Sequence, residues 1–204
     1  MTGTAVESRS RLSGEEGRRE GGKFLTFFLA EEEYGLEILK VREIIGMMDI
    51  TPVPRTPEFI CGVINLRGKV IPIIDLRLKF AMDAVERTDE TCMIVVQAAG
   101  LQMGIVVDKV SEVLDIAGED IEDAPSFGTE VNTDYILGIG KSQGKVKLLL
   151  DIDKVLSDED AIRLRDTATS GRTELAKKEA ATSTKDAENR QNSKQRSKKG
   201  DDAC

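Results

Sequence analysis

The chain has no histidine and no tryptophan among its 204 residues, and aromatic residues make up only 4% of it. Without histidine it lacks the side chain that most often serves as general base, metal ligand or phosphoryl acceptor near neutral pH, so such chemistry would need other groups. No apolar run approaches the roughly 18 residues that a membrane-spanning helix requires. The opening stretch, MTGTAVESRSRLSGEEGRREGG, is too polar for a signal peptide, and a cytoplasmic protein is expected. Cysteine is sparse as well. Cys61, Cys92 and Cys204 are an odd number at wide spacing, which fits neither a zinc knuckle nor a disulfide framework. Cys61 and Cys92 begin apolar stretches and read as buried free thiols.

The net charge of −8 is unevenly placed. Residues 1–22 balance four basic against four acidic groups, residues 166–204 hold nine against seven, and the core between them holds 16 against 26. An acidic core makes nucleic acid a poor partner, because phosphate contacts need clustered Lys and Arg. Both ends, 1–22 and 166–204, are rich in small and charged residues and are expected to be disordered, since they cannot bury enough apolar surface to offset their ordering entropy. A basic cluster around Lys194 to Lys199 could touch an anionic surface or simply stay solvated.

What the chain does have is an internal repeat. CGVINLRGKVIPIIDLRLKF, from Cys61 to Phe80, reads as a hairpin turning at Arg67-Gly68-Lys69. Shifted by 76 positions, Gly62, Gly68, Lys69, Val70 and Asp75 fall on Gly138, Gly144, Lys145, Val146 and Asp151. Shifted by 69, Gly35, Leu36, Ile38, Val41, Glu43 and Ile44 fall on Gly104, Ile105, Val107, Val110, Glu112 and Val113. Glycines and charges match in the same order as the apolar residues, so a duplication explains the match better than chance likeness between Val- and Ile-rich strands. The repeat halves span about 24–80 and 91–156, with polar residues 82–90 linking them.

Strands are expected at Phe24–Leu29, Tyr34–Ile45, Met93–Gln97, Leu101–Leu114, Ile136–Ile139 and Val146–Asp151, besides the hairpin. The long strands Tyr34–Ile45 and Leu101–Leu114 each switch their apolar face near Lys40 and Lys109, which reads as burial on both faces. Thr56-Pro57-Glu58 has the signature of a short helical turn, Asp75–Phe80 reads as another, and Ser157–Arg165 as a helix capped by Ser157. Short strands, few helices and a duplication predict a mainly β fold of two small barrels sharing an interface, in which strands can be exchanged.

No chemistry stands out. The Gly62 to Gly68-Lys69 spacing is one residue too long for a phosphate-binding loop and has Val70 where a Ser or Thr belongs. Asp75 and Asp151 could form a carboxylate pair, but capping a following turn in each repeat is the simpler reading. Cys92 has no histidine to activate it. Val41 and Glu43, with Val110 and Glu112 as counterparts, fit either a binding face or core packing with an exposed rim. Arg67 stands at a turn where its counterpart is Gln143, so the repeat does not need it for folding, and an Arg on a rigid turn suits an interface.

FLTFFLAEEEYGLEILKVREI, GVINLRGKVIPIIDLRLKF, GIVVDKVSEVL and LLLDIDKVL resemble, in order and over about 23–165, the signature segments of the CheW-like family of bacterial chemotaxis coupling proteins. The resemblance implies two five-stranded SH3-like β-barrels packed together, with short helices and a C-terminal helix. It implies no catalysis and no cofactor. It implies instead an adaptor, recruited to membrane-associated arrays, that bridges the regulatory domain of the histidine kinase CheA and the cytoplasmic tip of a chemoreceptor; a related pathway without motility output is the alternative. The regulatory domain of the kinase shares this fold, but 204 residues without histidine leave no room for phosphotransfer. By the same resemblance Leu25, Ile38, Val41 and Glu43 are expected to face the kinase, and Gly62, Asn65, Arg67, Val110 and Val113 the receptor. The long tail after Asp166 goes beyond what the family pattern requires.

Overall fold

Both faces of the strands that open each repeat are buried, and that fact shapes the molecule. The computed structural model describes residues 21–98, 100–124, 134–142, 144–156 and 159–169; the expected N-cap Ser157, the turn residue Gln143 and nearly all of both terminal segments lie outside them. The first half supplies β1 (Gly22–Leu29), β2 (Glu32–Glu37), β3 (Val41–Gly46), β4 (Ile60–Leu66), β5 (Lys69–Asp75) and the short helix α1 (Leu76–Lys79). The second supplies β6 (Cys92–Ala98), β7 (Leu101–Val107), β8 (Lys109–Ile116), the two-residue β9 (Ile121–Glu122), β10 (Ile136–Ser142), β11 (Lys145–Leu150) and α2 (Ile152–Val155). Residues 159–169 form the C-terminal helix α3.

The fold is mainly β, two similar units of SH3-like type, and their strand orders correspond. One sheet runs β8-β1-β2-β11-β10-β9 and the other β3-β6-β7-β5-β4. If β6, β7, β8, β10 and β11 are matched to β1 to β5, the two orders are the same, and each sheet takes its first pair of strands from one half and three strands from the other. The first sheet departs from five strands only through β9, which adds two pairs at the edge of β10.

The registers repeat too. β11 runs parallel to β2 with Leu149 opposite Gly35, and β5 runs parallel to β7 with Ile73 opposite Gly104. A Cβ on Gly35 would meet the Leu149 side chain at 2.8 Å, and one on Gly104 would meet the Ile73 side chain at 2.5 Å, so both glycines admit the same close crossing of strands. The register slips at Ile60/Gly62 and again at the matching Ile136/Gly138.

Among the described residues three apolar clusters follow from this arrangement. Leu25, Phe27, Leu36, Ile74, Ile94, Val96, Ile105 and Leu150 meet between the sheets, and Leu164 of α3 joins them. Ile64, Ile71, Ile73, Met93 and Val95 fill the second unit, and Phe24, Leu114, Ile116 and Leu149 the first. Successive residues Met93 to Val96 thus point alternately into a unit and between units, which is why β6 reads as one apolar run.

Three expectations are corrected. Tyr34–Ile45 is not one strand buried on both faces: β2 ends at Glu37, a 3-10 turn over Ile38–Lys40 intervenes, and β3 joins the other sheet. Leu101–Leu114 breaks likewise at Asp108 between β7 and β8. The apolar face changes because the chain changes sheets. Thr56–Glu58 forms no helix; Ile60 donates its N–H to the Pro57 carbonyl at 2.9 Å in a single turn. Among the described residues no helix is long and apolar enough to cross a membrane.

Candidate docking face

Arg67 and Gly68 form the two-residue turn between β4 and β5, both with positive φ (52° and 83°). That is the geometry of a tight hairpin whose twist matches its strands. Asn65 holds it closed, its Oδ1 accepting from the Gly68 N–H at 2.8 Å. The turn brings Arg67 to Glu43 on β3, where the guanidinium donates twice to the carboxylate, at 2.8 and 3.2 Å. β3 and β4 are the two edges of the five-stranded sheet, so this bidentate pair spans the gap between them. Its Arg side is 77% exposed and its Glu side 25%, leaving the guanidinium open to a partner.

The expected site residues separate by burial. Leu25 is 2% exposed and belongs to the core between the sheets, so it cannot touch a partner; its place on a kinase-facing surface is corrected. Gly62 is buried at φ +137°, and a Cβ there would lie 2.2 Å from the Thr51 carbonyl oxygen. It serves the bridge between Thr51 and Val63 and cannot line a groove. Ile38 and Val41 are half-buried against the core, Glu43 is half-buried, and Asn65 and Arg67 are exposed. On β8, the edge of the other sheet, Val110 is half-buried and Val113 is 50% exposed.

Glu43 and Arg67 were expected on different faces. The ion pair joins them on one, and leaves β8 as a separate edge. Next to the start of β8 is a cavity of about 480 Å³ whose lining includes Phe28, Val85, Glu86, Glu90, Asp108 and Lys109.

Sequence reasoning missed Leu39, Ile44 and Met48, exposed by 88%, 46% and 40% on and beside β3. A signal for Leu39 was present: its repeat counterpart is Asp108, so the fold does not call for an apolar side chain there. Ile44 was obscured by its neighbour Ile45: β3 alternates regularly, with Val41, Glu43 and Ile45 half-buried and Ile44 exposed, and two adjacent isoleucines do not mark which one faces out.

The candidate carboxylates are structural. Asp75 Oδ1 accepts from the N–H groups of Arg77 and Leu78, and Asp151 Oδ1 from that of Asp153, so each caps the helix after its strand. Burial pushes the Cys61 and Cys92 thiols up from their ordinary value, away from the reactive thiolate. Among the described residues no group of three or more His, Cys, Asp or Glu side chains could hold a metal ion.

Residues 23–160 match the family model of the CheW-like domain. The chain is 44% identical to a chemotaxis protein CheW of Klebsiella aerogenes over 170 residues, covering 83% of this chain and 99% of that one. It is 34% identical to the CheW of Bacillus subtilis over 142 residues, covering 69% and 90%. The crystal structure of the scaffolding protein TtCheW from Thermoanaerobacter tengcongensis superposes with a TM-score of 0.61 at 38% identity, covering 66% of this chain and 92% of that one. Two units of matching strand order, and these likenesses over most of the chain, lead to one conclusion: the chain belongs to the CheW-like family.

Proposed function

We propose that this protein is a non-catalytic adaptor of a chemotaxis signalling assembly, holding the regulatory domain of the histidine kinase CheA on one edge and the cytoplasmic tip of a chemoreceptor on the other. The observation that carries this reading is the face around β3, where Leu39, Ile44 and Met48 are exposed beside the Glu43–Arg67 pair. Apolar side chains beside charged ones, on a strand at the edge of its sheet, suit a protein partner. That the similar proteins of Klebsiella aerogenes and Bacillus subtilis are chemotaxis proteins, and the structural neighbour a scaffolding protein, supports the same role.

In this reading β3, with Ile38, Val41, Glu43, Asn65 and Arg67, takes the kinase. β8, with Val110 and Val113 beside the cavity at Val85 and Lys109, takes the receptor tip, a helical hairpin that lays an apolar stripe against the strand. The acidic core makes neither nucleic acid nor direct membrane insertion part of the role. The test is co-recovery from a column carrying an immobilised receptor-tip fragment. The CheA regulatory domain should be retained several-fold better when this protein is added; retention that does not change on addition would sink the bridging role.

A further inference from the structure

Each half of the chain completes its sheet with strands of another half, and in the second half the connection between strands requires this. β7 and β8 are joined by Asp108 alone, and β2 and β3 by Ile38–Lys40. For β8 to flank β6 of its own half it would have to cross two interstrand spacings, roughly 9.5 Å. One connecting residue spans only about 7 Å. Because the halves are copies, the half it exchanges with could be the other one in the same molecule, or the like half of a second molecule.

Three ion pairs separate these possibilities. Glu33 on β2 meets Lys147 on β11 at 3.0 Å, with side chains 8% and 2% exposed. At the matching places in the other sheet stand Gln102 and Ile71. Beyond the strands, Asp153 of α2 meets Lys40 at the β2–β3 turn at 2.5 Å, and Arg77 of α1 meets Asp108 at the β7–β8 turn. Arg77 and Asp153 are themselves repeat counterparts with opposite charge. If like halves exchanged, Glu33 would be buried beside Ile71 and Lys147 beside Gln102. Arg77 would face Lys40, and Asp153 would face Asp108. Every one of these contacts strands a buried charge or opposes like charges.

We infer that these three ion pairs are a pairing code by which each half accepts its unlike half and rejects a second copy of itself. The code protects assembly. If like halves exchanged between molecules, two molecules could close as a dimer through both halves, or each could bridge two neighbours and extend the contact into a chain.

The test is unfolding the full chain in urea, refolding it, and measuring mass by light scattering, with near-ultraviolet dichroism to confirm native packing. Wild type is expected to return as monomer. Glu33→Leu with Lys147→Met removes the buried charges, and should raise the fraction of native-like oligomers that survive dilution at least tenfold, with a melting temperature no lower than wild type. Glu33→Lys with Lys147→Glu keeps the pair and should refold as wild type does. Ile71→Lys, Lys147→Ile, Arg77→Asp and Asp153→Arg together rewrite the code for like halves, and should give oligomers predominantly. Monomer from the charge-free variant in the wild-type proportion, or equal oligomer from the charge-free and reversed variants, overturns the inference whether or not the fourfold variant folds.

Discussion

Arg67 answers two demands that pull in opposite directions. Its backbone sits at φ 52°, a conformation that costs a non-glycine residue about 1–2 kcal/mol, while its guanidinium holds Glu43 in a pair exposed enough to be worth only about 0–1 kcal/mol. Arg67→Gly removes both terms, so its urea midpoint should stay near wild type or rise slightly, while partner binding falls about tenfold or more. A large loss of stability would show that the pair holds the fold and not a partner. Gly62 offers a contrast in the same hairpin. Gly35 and Gly104 crowd only the ends of flexible side chains, and Ala there should cost about 1–3 kcal/mol through overpacking. Gly62 faces backbone at 2.2 Å with φ +137°, so Gly62→Ala should cost more than either. The order of the three melting temperatures checks this. Leu25 shows why such roles are hard to read from a sequence: an apolar residue on a strand looks the same whether it faces solvent, a unit's interior or the space between units.

At the scale of elements, the hairpin, the turn at Gly68, the duplication and the capped helix after Asp75 were legible because each has a local chemical signature. The breaks at Ile38–Lys40 and Asp108 were not. Nothing in those residues forbids a continuous strand, and only the demand of the other sheet for a third strand turns the chain there. The change of apolar phase near Lys40 was the visible trace, read as burial on two faces when it marked a change of sheet. Among the candidate docking residues, Arg67 was legible because its counterpart Gln143 differs from it, whereas Ile44 was hidden in an Ile-Ile pair of which only one member faces inward. Asp75 and Asp151 do the same job in the two halves, and α1 and α2 are too short to stand without tertiary support. Asp75→Ala and Asp151→Ala should each lower stability by about 1 kcal/mol, with Asp75, which accepts two backbone bonds, the costlier. Urea denaturation of the two variants decides it; no loss from either would mean that the caps do not limit stability.

For the whole molecule, protonation and partner binding report on different parts. Burial raises Tyr34, Cys61 and Cys92, and the hydrogen bond to Asp153 raises Lys40. A raised group holds its proton more tightly in the folded chain than in the unfolded one, so its contribution is fully present below its ordinary value and is lost as pH climbs through the folded one. Stability should therefore be flat from pH 7 to about 8.5 and fall as pH rises above the ordinary thiol value of 9.0 and tyrosine value of 10.0. Urea midpoints across pH 7 to 10.5 test the sign. A midpoint that climbs over that range would contradict it.

The adaptor account depends on two edges, β3 and β8, working separately. Calorimetric titration of the CheA regulatory domain and of a receptor-tip fragment into wild type, Val41→Asp, Arg67→Ala and Val113→Asp tests this most directly. The account predicts that wild type binds both, that Val41→Asp and Arg67→Ala weaken the kinase domain at least tenfold and leave the receptor fragment unchanged, and that Val113→Asp does the reverse. Loss of both partners together in well-folded variants, or binding of neither by wild type, would contradict it.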